Sequence, residues 1–194
     1  STAQIMWEIG AESTVVGMPV GPYTAYLNGS GDRTNVWNAD GTVNQEVVVD
    51  LEPDVVLTAD ITPSATVRDL RSAGLTVYKS PFDRSLATIP RTVATVGRFV
   101  GACEDAGATA DEFNASLAEI RATAPDRSPR VLYYFFNFTA GSGTFVGEAI
   151  ETAGGDNVAA SAGITGFAPL NDEVVAVRDP QWIVVPGGAT VPDR

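Results

Sequence analysis

The stretch Asn44-Gln45-Glu46-Val47-Val48-Val49-Asp50-Leu51-Glu52-Pro53-Asp54-Val55-Val56-Leu57-Thr58-Ala59 decides the fold class. Asn44 is a good helix N-cap, Glu46 places a carboxylate in the first turn where the helix dipole favours it, and Pro53 stops the helix started at Gln45. Val55 to Ala59 is then an apolar run of strand length, the pattern of a parallel strand covered on both faces. Helix followed directly by buried strand is one α/β unit.

The alternation repeats on both sides of this unit. Ala3 to Ile9 puts apolar residues on one helical face and stops at Gly10, Val15 to Met18 reads as a strand, and Asn35-Val36-Trp37 as a second short one. Ser64 to Ala73 is a helix closed by Gly74, and Leu75 to Tyr78 the next strand. From Leu86 to Val100 the apolar spacing is helical, with Pro90 placing the regular start near Ile89. A second helical stretch follows Cys103 and runs to about Ala124. Val131 to Phe136 is the strongest strand signal, then a helix over Thr144 to Ala153, a strand near Asn157-Val158-Ala159, a helix after Asn171 and a strand from Trp182 to Val185. The expectation is an α/β chain of two lobes with parallel sheets flanked by helices, joined by a long helical segment. The lobes are drawn at residues 1–84 and 126–194, with the helical segment at 85–125.

Composition narrows the chemistry. The 194 residues carry 12 basic and 24 acidic side chains and no His, for a net charge of −12. Such a charge opposes gripping nucleic acid or an anionic membrane through a basic face. Eleven of the bases are Arg and Lys79 is the one Lys, a balance suited to a surface kept soluble in strong salt, so a halophilic source is expected. Cys103 is the one cysteine, so no internal disulfide forms, and without His the usual metal ligand and general base are missing. No catalytic constellation, resident metal or cofactor is indicated.

Two features could bind a ligand. Gly141-Ser142-Gly143-Thr144-Phe145-Val146-Gly147 lies between a strand and a helix, the setting of a phosphate loop, but its spacing is GxGxxxG and no lysine follows. A nucleotide-using α/β enzyme is therefore the alternative function. The aromatic residues Tyr23, Tyr26, Trp37, Phe82, Phe136, Phe138 and Phe167 fall mostly at or beyond strand ends, where open α/β sheets bind ligands. With Asn137, and with Arg84 to pair a ligand acid, they form the candidate binding set.

Taken in order, Gly10-Ala11, Val15-Val16-Gly17-Met18, Asn44-Gln45-Glu46, Leu51-Glu52-Pro53-Asp54-Val55-Val56-Leu57, Ala73-Gly74-Leu75-Thr76-Val77, Arg130-Val131-Leu132-Tyr133, Gly143-Thr144-Phe145, Ala153-Gly154-Gly155-Asp156-Asn157, Asn171-Asp172-Glu173 and Asp179-Pro180-Gln181-Trp182 resemble one family. It is the periplasmic-binding class of substrate-binding proteins that serve ATP-driven (ABC) importers of cobalamin, iron-siderophore complexes and haem. The resemblance implies an extracytoplasmic protein, not an enzyme, that captures a small-molecule metal chelate between its lobes and hands it to a membrane permease. It implies a monomer held near the membrane by an anchor outside this chain. By motif position it makes Glu46 and Glu173 the carboxylates that meet permease arginines. It also implies a strand before Ser1 and further elements after Arg194, so the chain is expected to be trimmed at both ends.

Overall fold

The computed structural model describes residues 2–21, 24–81, 84–125, 128–135, 137–170 and 178–186. The chain divides into two compact units, Ser1–Phe82 with Pro90–Asp111, and Asp83–Ile89 with Glu112–Arg194. It crosses between them three times, the last crossing falling within a helix.

The first unit opens with α1 (Thr2–Glu8), ended by Gly10 at φ +66°. β1 (Gly17–Met18) pairs in parallel with β2 (Thr34–Asn35). Asn44 caps α2 (Gln45–Asp50), its side chain accepting from the Val47 N–H, as the sequence predicts. β3 (Val56–Thr58) pairs in parallel with β4 (Val77–Lys79), and α3 (Ser64–Ser72) connects them. Val48, Val67, Leu70 and Val77 form the buried cluster under this sheet, with Val36, Val43, Val56 and Leu75 packed on it. β3 itself is only half-buried, less covered than its apolar run predicts.

A 3-10 turn over Leu86–Thr88 leads into α4 (Ile89–Val100), which begins where Pro90 placed it. A corner follows before α5 (Cys103–Ala122). Gly101 supplies the left-handed residue at φ +74°, and Gly97 lets the two helices close, because a Cβ there would overlap the side chain of Ala106.

The second unit is built on β5 (Arg130–Tyr133), with Leu132 at its buried centre. β6 (Phe138–Ala140) turns back from it, and α6 (Phe145–Thr152) follows, capped by Thr144. β7 (Asp156–Asn157) is followed at once by α7 (Val158–Ser161), then β8 (Phe167–Pro169) and β9 (Trp182–Val184). The sheet order is β7-β5-β9, all parallel. Leu132, Val158, Ala159 and Leu170 form its buried cluster.

One expectation changes. Val158 and Ala159 are helical rather than extended, because the Asn157 side chain accepts from the N–H groups of Ala159 and Ala160 and starts α7 there. Beside the expected parallel sheets, β6 and β8 pair antiparallel through Phe138↔Pro169, Thr139↔Ala168 and Ala140↔Phe167. The helix expected after Asn171 lies outside the described residues.

Candidate functional site

The β6–β8 ribbon gives the second unit its exposed aromatic face. Directly opposed residues of an antiparallel pair share a face, as do alternate residues along each strand, so Phe138, Ala140, Phe167 and Pro169 lie on one side. Phe138 and Phe167 are diagonal neighbours across Ala140, at a spacing of about 7–8 Å that aromatic rings can span. Both rings remain substantially exposed, at 45% and 43%, although Ala140 beneath them is fully buried. The opposite side of the ribbon carries Thr139, also fully buried.

A tight turn sets the ribbon's angle. Phe135 and Phe138 exchange backbone hydrogen bonds at 2.9 and 2.8 Å, which leaves Asn137 at φ +62°, a left-handed conformation that Asn tolerates better than most residues. The Tyr134 hydroxyl donates to Asn137 Oδ1 at 2.7 Å, and the Asn137 carbonyl accepts from the Leu170 N–H. Asn137 is thereby fixed beside the Phe138–Phe167 face. Burial pushes the phenol of nearby Tyr133 above its ordinary range.

The glycine run beside this ribbon has a structural explanation. The Gly141 N–H donates to the Gly166 carbonyl and the Ser142 N–H to the Ile164 carbonyl. The Gly147 N–H is taken by Thr144 Oγ1 and the Glu148 N–H by the Thr144 carbonyl. A Cβ on Gly141 would overlap the Ile164 carbonyl, and one on Gly147 would overlap the Gly141 carbonyl and press on Asn157 Nδ2. Gly143 supplies φ +70°. These glycines serve close packing and turning, and the N–H groups of Gly141, Ser142 and Gly147 are already engaged. The glycine run at 141–147, on which the nucleotide-using alternative rests, thus has a packing role in this fold.

In the first unit the candidates stand on separate loops. Trp37 forms an antiparallel bridge with Val43, and alternation sends Val36 into the core and Trp37 outward. The bridge closes on a short turn in which Asp40 accepts from the N–H and hydroxyl of Thr42, contacts that hold its carboxyl below the usual range. Tyr26 is exposed, its hydroxyl 3.4 Å from Gln4 Oε1, on a loop pinned to α1 by the Trp7 indole donating to the Asn28 carbonyl. Glu46 is exposed in the first turn of α2. Arg84 is exposed in the second unit just before the 3-10 turn. Tyr23, Phe82, Phe136 and Glu173 lie outside the described residues. Sequence reading passed over Ile61, which is 83% exposed in the turn after β3. Its signal was available: an apolar residue between Asp60 and Pro63, just past a parallel strand's carboxyl end.

A groove along α3 gathers Arg68, Arg71 and Lys79, but it is internally satisfied. Asp69 lies 3.6 Å from Arg68, Asp60 3.8 Å from Lys79, and Arg71 donates to the Val77 carbonyl at 2.8 Å. Among the described residues no cluster of acids and cysteines could hold a metal ion, and no helix is long and apolar enough to cross a membrane.

The chain is similar in sequence and architecture to known proteins. A family model described as periplasmic binding protein matches residues 1–193, a class of solute-binding proteins rather than enzymes. A protein of Halobacterium salinarum named cobalamin-binding protein is 40% identical over 190 residues, covering 95% of this chain and 51% of its own length. A Bacillus subtilis protein described as an uncharacterized ABC transporter substrate-binding lipoprotein is 27% identical over 160 residues, covering 77% of this chain and 50% of its own. The chain thus spans about half the length of these curated relatives. Among solved structures, the apo periplasmic heme-binding protein RhuT of Roseiflexus sp. RS-1 superposes with a TM-score of 0.83 at 26% identity, over 95% of this chain and 72% of that one.

Proposed function

The chain belongs to the periplasmic binding protein family, and from that premise we propose that this protein captures a chelated metal compound outside the cell and delivers it to an ABC permease. Within the class of ferric siderophores, cobalamin and haem, cobalamin is the ligand we favour. The observation that carries this reading is the 40% identity, sustained over 190 residues, to a protein named for cobalamin binding. Two exposed rings on one face of the β6–β8 ribbon support it chemically, since a flat macrocycle or ring-bearing chelate gains from aromatic stacking that a small hydrated ion does not.

The residues we propose for ligand contact are Phe138, Phe167 and Asn137 of the second unit and, separately, Trp37 and Tyr26 of the first. Glu46 and Glu173 are the carboxylates proposed to meet arginines of the permease, where an exposed charge-assisted pair would set docking. A monomer tethered to the membrane through a lipid anchor completes the reading. Titration of the intact protein with cyanocobalamin, haemin and a ferric siderophore, at molar salt, tests it: saturable binding of a chelate supports the reading, and binding of none removes it. For docking, E46Q should leave chelate affinity within about twofold while lowering permease-dependent uptake.

A further inference from the structure

Residues 84–89 belong to the second unit, and a contact within that unit holds them. The holding contact comes from α6. Glu148 Oε2 accepts from the Leu86 N–H at 2.7 Å, across 62 residues of sequence. That N–H belongs to the first turn of the Leu86–Thr88 3-10 helix, whose leading amides have no partner within the helix. Ser85 Oγ takes the Ala87 N–H, and the Thr88 hydroxyl donates to the Ser85 carbonyl, so both leading amides at the N-terminal end of the turn are satisfied, one locally and one by Glu148. Leu86 is buried at the same place. A carboxylate accepting a partly buried amide is a charge-assisted bond, stronger than the neutral bonds around it. Two residues before Leu86 stands Arg84, exposed and without an ion pair among the described residues.

We propose that Glu148 is a positioning residue for ligand capture: by clasping the Leu86 amide it fixes the segment that carries Arg84, and so presents that guanidinium to an acidic or amide-bearing edge of the chelate. The role rests on the binding function proposed above. It differs from that function in acting through the backbone, since Glu148 itself need not touch the ligand.

Four variants of the intact protein, E148A, E148Q, R84A and the double R84A/E148A, test it, with cyanocobalamin as the probe and hydrogen exchange at the Leu86 amide as a second readout. Glutamine keeps an acceptor oxygen, so E148Q should bind within about twofold of wild type, whereas E148A should bind about tenfold more weakly. In the R84A background E148A should add almost nothing, because the two act in series. Exchange at Leu86 should accelerate strongly in E148A and only slightly in E148Q, which keeps the acceptor but loses the charge. Wild-type affinity in E148A, an equal loss in both backgrounds, or unchanged Leu86 exchange would each overturn the proposal. Should wild type bind no cobalamin, the ligand reading falls together with the positioning role, and Leu86 exchange alone then decides whether the clasp exists.

Discussion

Replacing Asn157 by alanine should destabilise the second unit by about 2–4 kcal/mol. Asn157 is 2% exposed and uses both ends of its amide: Oδ1 accepts from the Ala159 and Ala160 N–H groups at 3.1 and 3.4 Å, and Nδ2 donates to the Ala140 carbonyl at 3.0 Å. Losing the cap costs about 1 kcal/mol. Leaving the Ala140 carbonyl, fully buried in the native chain, without its donor adds about 1–3 kcal/mol. N157D separates the two contributions, because aspartate keeps the cap acceptor but turns a carboxylate oxygen toward that carbonyl. Hydrogen exchange at Leu132, at the centre of β5, reports the opening of this unit without relying on a single transition for the whole chain. Exchange at Leu132 shifted by less than about 0.5 kcal/mol in N157A would refute the claim that this side chain ties β6 to α7.

The glycine run gives a second test: G147A should cost about 1–3 kcal/mol, read by denaturant titration, and a neutral outcome would reopen the loop as a ligand cradle. Thr139 Oγ1 is buried with no hydrogen-bond partner, so T139V should stabilise by about 1 kcal/mol in the same assay. F138A and W37A should each weaken chelate binding about tenfold or more while leaving Tm within a few degrees, because both rings are exposed. Finally, Tm should climb steadily from low salt to molar KCl. A net charge of −12 with three ion pairs among the described residues leaves self-repulsion that screening relieves, and a flat profile would contradict salt adaptation.

Local signals carried far. Asn44 before an acidic first turn, Gly10 and Gly74 after helical patterns, and Pro90 one residue inside a helix each act within a few residues, so their structural outcome was legible in the sequence. The β6–β8 ribbon was not, because three-residue strands carry almost no periodicity and their pairing joins residues 138–140 to 167–169. Val158-Ala159 suits either a strand or a helix, and the preceding Asn157 decided the matter through hydrogen bonds that composition does not display. The candidate site divides the same way. That Phe138 and Phe167 are aromatic and near strand ends is visible in the sequence, but that they share a face depends on antiparallel register. Glu148 carries no signal in the sequence, because its partner lies 62 residues away.

The central claim is chelate capture, and the most direct measurement is an equilibrium titration of the intact protein with cyanocobalamin at molar salt, run beside haemin, a ferric siderophore and a dinucleotide. Saturable one-to-one binding, tightest for cobalamin and weakened by F138A, is the predicted result. Saturable dinucleotide binding with no response to any chelate would contradict the account.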